Sequence, residues 1–327
     1  MECEVLSLEQ VCSFLKQRDN YTILTHSSPD GDTLGSGFAM QGVLEKLGKK
    51  ARVICNDAIP QKFSYMIRKP VGEFDTQTLI SVDVADLKLL GKNHVDFIGK
   101  IDLAIDHHGS NTMFAHRAYI EQDTSSCCEI IYKIAQCLNV ELDCQIAAAL
   151  YTGVATDTGC FKFSNTSDNT HLVAADLFKR GIDAAEINRV MFETKSRNMI
   201  QVEQIAYRSL EFSYDGRCAM VILPYELIKN CENSDLETVS NIARSIEGVL
   251  VGITLKEKEQ NIIKISVRSH APVDASAICG ELGGGGHSRA AGCEFEGTIS
   301  EAKQKILAVV KKYLEINNER TCTSKQA

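Results

Sequence analysis

What this chain of 327 residues lacks narrows its identity first. It has no Cys-x-x-Cys pair, although it carries 13 cysteines. An odd, scattered set of thiols is no disulfide framework and reads as reduced cysteines of a cytoplasmic protein. It has no apolar run near the ~20 residues of a membrane span. The longest candidate, Ile146 to Ala155, is interrupted by Thr152 and Gly153. The opening Met-Glu-Cys-Glu-Val lacks the basic and apolar regions of a secretory signal, so none is expected. Positive charge is not in surplus: 35 Lys and Arg against 43 Asp and Glu leave a net charge of −8. That balance argues against holding long duplex DNA on an extended basic surface, yet permits a short phosphorylated substrate gripped by a few cations. No internal repeat or low-complexity segment occurs. With 44% apolar and 24% charged residues, the composition is that of a globular enzyme, and the length suggests about two domains.

What is present begins at Tyr21. Short β-rich runs at 21–26, 51–55, 78–84, 100–106 and 116–120 alternate with helical patterns at 33–47, 125–138 and 144–156. This alternation predicts an α/β domain with a largely parallel sheet and helices on both faces. Residues 168–210 read as nearly continuous helix in two or three pieces, with 186–210 as a connector. Strands are then expected at 218–223, 249–256 and 262–268, a helix from Asp274, a glycine run at 283–286 and a last helix from 300 to 316. These form a smaller α+β domain over 211–317, followed by a polar tail at 318–327 expected to be flexible.

Acids and histidines gather at the strand ends. His26, Asp30 and Asp32 follow the first strand, with Gly31 letting the backbone turn between them. Asp83 ends the run Thr-Leu-Ile-Ser-Val. Asp106, His107 and His108 end another, and Asp157 closes a helical stretch. In open α/β sheets ligands collect outside the carboxyl ends of strands, so these groups can converge. A carboxylate after an apolar strand is costly to bury unless paired or coordinated. The mixed nitrogen and oxygen donors suit Mn²⁺, Fe²⁺ or Co²⁺ better than an all-oxygen Mg²⁺ site, and the absence of thiolate argues against structural zinc.

These four segments, in this order, resemble motifs I to IV of the DHH phosphoesterase family, which Asp106-His107-His108 would name. The run GGGGHSRAAG at 283–292 is similar to the glycine-rich motif of the DHH-associated second domain. Length and motifs together look most like the nanoRNase and pAp-phosphatase branch. The resemblance implies a DHH catalytic domain over 1–185 and an active-site cleft between it and the second domain. It implies two divalent ions, most simply Mn²⁺ with Mg²⁺ or Co²⁺ as alternatives. His26 and Asp30 would bind one, Asp32, His107 and Asp157 the other, and Asp83 would bridge them. His108 would face the scissile phosphate rather than a metal, with Asp106 orienting the histidines. A homodimer and short RNA or mono- and dinucleotide substrates are also implied.

Asn111, Arg268, Gly284, Gly285, Gly286 and His287 are expected substrate contacts. The glycines would let backbone amides approach a phosphate. Arg289 is a weaker candidate. Ser125 and Ser126 would either cap a helix or help bind an anion at its N-terminus. The leading expectation is hydrolysis of very short oligoribonucleotides or of 3′-phosphoadenosine 5′-phosphate. The rivals are a soluble phosphodiesterase for linear or cyclic dinucleotides, a pyrophosphatase, and a nucleotide sensor without turnover.

Overall fold

The computed structural model describes residues 3–70, 72–231 and 238–323, and the backbone only of a few of these. Two compact units divide the chain, Met1–Thr194 and Lys195–Ala327.

The first unit is built on a six-stranded parallel sheet. Its strands are β1 (Glu4–Val5), β2 (Tyr21–Leu24), β3 (Ala51–Ile54), β4 (Thr78–Val82), β5 (Leu103–Asp106) and β6 (Arg117–Ile120), in the spatial order β1-β6-β5-β4-β2-β3. The two faces follow from the alternation of side chains along each strand. Tyr21, Ile23, Ile80, Val82, Leu103 and Ile105 bury one face under five helices. These are α1 (Leu8–Gln17), α2 (Gly31–Lys46), α3 (Cys127–Cys137), α4 (Cys144–Asp157) and α5 (Asp168–Phe178). The opposite face packs Leu24, Ala104 and Ala118 against short 3₁₀ turns at Leu87–Leu90 and His94–Phe97. Helix α2 is buried along nearly its whole length, so its sequence shows no polar stripe.

Helix α1 was not among the expected elements. Its signal is nevertheless local: Ser7 and Gln10 form a capping box, and Val11, Cys12, Phe14 and Leu15 bury one face. The stretch 168–210 is helical in three pieces, within the two or three expected. Gly181, at φ 79°, ends the segment after α5, and Asp183 caps α6 (Ala184–Asn188). A π-turn follows at Arg189–Glu193, and Ser196 caps α7 (Arg197–Arg208). The expected connector at 186–210 is therefore shared. Ile187 lies in the core of the first unit, while Val202 and Ala206 pack with strand residues of the second.

The second unit holds a mixed sheet in the order β11-β12-β10-β9-β8-β7. Its strands are β7 (Glu211–Ser213), β8 (Cys218–Leu223), β9 (Val251–Glu259), β10 (Ile262–Ser269), β11 (Gly285–His287) and β12 (Ala290–Glu296). Only β8 and β9 run parallel. Ile263, Ile265 and Val267 of β10 point into a core shared with α8 (Ala275–Gly280) and α9 (Ile299–Thr323). Helix α9 continues to Thr323 through the expected polar tail, because no proline or glycine interrupts it. The rest of that tail, 324–327, lies outside the described residues. No helix among the described residues is long and apolar enough to cross a membrane.

Candidate metal centre

The site grows from the carboxyl ends of β2, β4 and β5 and from the facing ends of three helices. Asp30 is the N-cap of α2, its Oδ1 accepting from the amides of Asp32 and Thr33 at 3.0 Å each. It is thus both a cap and a candidate ligand. Nδ1 of His26 lies 2.8 Å from the Ser27 carbonyl. A donor there leaves Nε2 with its lone pair, 3.7 Å from Asp30 and 3.6 Å from Asp83.

Asp32, in the first turn of α2, is 1% exposed. Its two oxygens accept from the amides of Cys127 at 2.7 Å and Cys128 at 2.9 Å, the first residues of α3. The anion at this helix N-terminus is therefore an internal carboxylate. Ser126 caps the helix, and Ser125 bonds to Glu129, so neither serine plays the anion-binding part offered to it by sequence. Cys127 and Cys128 contribute backbone amides and packing. On α4, Gly153 makes room for this arrangement: a β-carbon there would sit 2.6 Å from Oδ1 of Asp32 and inside the sulfur of Cys128.

Asp83 is 3% exposed and holds a left-handed backbone, φ 57°. Its Oδ1 is buried without a hydrogen-bond partner among the described residues. Nε2 of His107 approaches Asp83 at 3.7 Å, Asp157 at 3.5 Å and Asp32 at 3.9 Å. Donor atoms of His26, Asp30 and Asp83 lie within 4.8 Å of one another, as do those of Asp32, His107 and Asp157. A third grouping joins Asp83, His107 and His108. Nδ1 of His108 is engaged by Asp106 at 2.8 Å.

These groups fit divalent cations. Burial raises the Asp83 carboxyl well above the carboxylate range, and the neighbouring charges of Asp32 and Asp30 add to it. Burial likewise raises Asp32, against the pull of His107 and the two α3 amides. Asp157 is pushed up to about 9 by burial and by the charges of Asp32, Asp83 and Asp30. Carboxylates crowded in this way are relieved by a cation, and the unpartnered oxygen of Asp83 is a donor waiting for one.

His108 stands apart. Its hydrogen bond to the Asp106 carboxylate raises it to about 9 despite its desolvation. Asp106, fully buried, also accepts from the amides of His107 and His108 and from Asn111 Nδ2 at 2.7 Å. Burial pushes its carboxyl up, but the His108 and Asn111 bonds outweigh that and hold it below the ordinary value.

Several of the expected substrate contacts have partners within the chain. Asn111 spends its amide on Asp106, the Val84 carbonyl and the Met113 amide, and so braces the loop. In the second unit, a β-carbon on Gly284 would collide with Cys293, and one on Gly286 would lie 2.7 Å from the Ala290 carbonyl. Both glycines serve the close approach of β11 to β12, whereas a β-carbon on Gly285 would meet nothing within 4 Å among the described residues. His287 is exposed on β11. Arg268 is part-buried on β10, with NH1 3.2 Å from the Val267 carbonyl. Arg289 donates to the Val273 carbonyl at 2.7 Å.

Two supporting residues escaped the sequence reading. Glu129, 1% exposed, accepts from Ser125, Asn169 and Thr170 and so ties α3 to the start of α5. Asn165 donates to the carbonyls of Ser125 and Asp157. The stretch Ser-Ser-Cys-Cys-Glu carries a capping signal for Glu129; nothing local marks Asn165.

Residues 20–154 match the DHH family, N-terminal domain, and residues 221–316 match the DHHA1 domain. The bifunctional oligoribonuclease and PAP phosphatase NrnA of Thermus thermophilus is 30% identical over 302 residues, 89% of each chain. An exopolyphosphatase-related protein from Bacteroides fragilis superposes with a TM-score of 0.85 at 24% identity, covering 94% of this chain and 97% of its own. RecJ from Thermus thermophilus, crystallised with Mn²⁺, shares the fold at a TM-score of 0.54 and 13% identity, over 94% of this chain and 54% of RecJ. On the two domain matches and a relative aligned over most of its length, the chain belongs to the DHH family, in the branch of the oligoribonuclease and PAP phosphatase proteins.

Proposed function

We propose that this chain is a metal-dependent phosphoesterase acting on very short oligoribonucleotides, releasing nucleoside 5′-monophosphates, and on 3′-phosphoadenosine 5′-phosphate, releasing AMP and phosphate. The observation that carries the reading is Asp83, a buried carboxylate that shares one donor group with His26 and Asp30 and another with His107 and His108. The activities named for the Thermus relative support the substrate class. Two ions are our reading of the donor set, His26 and Asp30 serving one, Asp32, His107 and Asp157 the other, and Asp83 both. Manganese is favoured by the mixed nitrogen and oxygen donors, and RecJ was crystallised with it.

When bound, such cations supply Lewis acidity, lowering the pKa of water and offsetting phosphoryl charge. The chain's own residues do the rest. Asp106 keeps Nδ1 of His108 protonated and fixes the ring. The imidazolium then stabilises charge on the phosphoryl oxygens and gives its proton to the departing 3′ oxygen as the P–O bond breaks. The amides of Cys127 and Cys128 keep the Asp32 carboxylate from turning away. In this reading residues 1–185 carry the chemistry and 211–317 the remainder of the substrate, through Arg268, Gly285 and His287. A cytoplasmic homodimer completes it.

The nearest rival is a phosphodiesterase for linear or cyclic dinucleotides. A panel of dinucleotides, 24-mers, 3′-phosphoadenosine 5′-phosphate, cyclic di-AMP and pyrophosphate under Mn²⁺, resolved by chromatography, separates them. We expect turnover of dinucleotides and of the bisphosphate, loss with Asp83→Ala, and slower attack on 24-mers. Faster hydrolysis of cyclic di-AMP than of both favoured substrates would hand the site to the rival. No turnover of any compound would make the chain a sensor.

A further inference from the structure

Helix α4 ends on Asp157, and the chain then takes an unusual path. Gly159, Cys160 and Phe161 follow with φ of 56°, 59° and 62°. Three successive left-handed residues, two of them bearing side chains, are a strained backbone that its surroundings must impose. Thr158, fully buried, does so. Its Oγ1 donates to the Val154 carbonyl at 2.6 Å and accepts from the Phe161 amide at 3.0 Å. Its carbonyl accepts from the amides of Lys162 at 2.9 Å and Phe163 at 3.0 Å. Asn165 then returns its side chain to the Asp157 carbonyl at 3.2 Å. The loop thus begins and ends against a residue of the metal centre.

The two aromatic rings of the loop have opposite fates. Phe161 turns inward, stacking on His171 at 5.2 Å and leaning on Tyr151 at 6.3 Å. Phe163 turns outward and stays 51% exposed. Its ring lies over Gly159, where a β-carbon would come within 2.6 Å of a ring carbon. Scattered exposed apolar side chains are ordinary. Here, however, a strained, closed loop that leaves from and returns to Asp157 carries a large, half-exposed ring packed over Gly159.

We propose that Phe163 is a stacking platform for a nucleobase of the substrate whose phosphate meets the Asp and His cluster. The proposal rests on the phosphoesterase reading and adds the base as a recognised group. An aromatic face accepts any base, so it confers recognition of nucleotides without choosing among sequences.

The test compares a dinucleotide with its counterpart lacking both bases, in wild type, Phe163→Ala and Phe163→Trp. For the dinucleotide, we expect Phe163→Ala to raise KM about tenfold with kcat within about twofold, and Phe163→Trp to restore it. The base-free substrate should be hydrolysed alike by all three, and Tm should not move, because the ring is exposed. Equal losses on both substrates, or no change in KM for the dinucleotide, would overturn the stacking role. Wild type that cleaves neither substrate would instead remove the phosphoesterase reading, and this proposal with it.

Discussion

Oδ1 of Asp106 lies 2.8 Å from Nδ1 of His108, while Oδ2 of the same carboxylate is held by Asn111 at 2.7 Å. A fully buried anion thus sets both the orientation and the protonation of an imidazole. Replacing Asp106 with Asn keeps the shape and removes the charge. His108 then loses its proton at lower pH, and since the proposed mechanism requires that proton, the alkaline limb of the pH–rate profile should move toward acid. Steady-state rates from pH 6 to 10 read the shift; an unmoved limb would show that His108 is not the acid.

Metal loading should release protons. Asp157, pushed up to about 9 by burial and like charge, holds a proton in the metal-free fold at neutral pH; burial and like charge raise Asp83 in the same direction, and cations displace such protons. The sign for stability follows. Between the ordinary carboxylate range and about 9, the folded state binds more protons than the unfolded chain, so metal-free stability falls as pH rises through that window. Tm measured with chelator should decline from pH 5 to pH 9. With Mn²⁺ at a hundred times its Kd, Tm should rise by about 5–10 °C at neutral pH. A metal-free Tm that climbs with pH would contradict this account.

Gly153→Ala should weaken metal binding by about tenfold or more, because the new methyl displaces Asp32 from the α3 amides. Gly280→Ala is the matched control: its β-carbon meets nothing within 4 Å among the described residues. Calorimetric titration with Mn²⁺ on both variants makes the comparison, and equal affinities would remove Gly153 from the site's design.

Glu129→Ala leaves the hydroxyls of Ser125 and Thr170 and the amide of Asn169 without their buried acceptor. The expected cost is roughly 2–4 kcal/mol in urea unfolding, with a weaker metal site as a second consequence. A loss below about 0.5 kcal/mol would mean that water replaces the carboxylate easily.

Most of the site could be read from residue order because its donors sit where strands end, and strand ends are visible in apolar runs. His26, Asp83 and His107 are each announced by the β-rich segment before them. What was not legible depends on distant partners. That the Asn111 amide is held by Asp106, and that Cys293 packs where a β-carbon on Gly284 would stand, cannot be seen in the residues beside them. Helix α2 reads as helix, but its burial on every side comes from tertiary packing that no periodicity encodes. How the apolar residues of 186–210 are shared between two different cores was hidden for the same reason.

The cradle of Asp32 has a consequence for how the protein matures. Its carboxylate is fixed by amides nearly a hundred residues downstream, and Asp157 arrives later still. A nascent chain that has emerged only through β6 holds every member of the His26, Asp30 and Asp83 group, but lacks Asp157, which completes the group of Asp32 and His107. The second donor group is therefore assembled late in biosynthesis, only once α3 and α4 have docked.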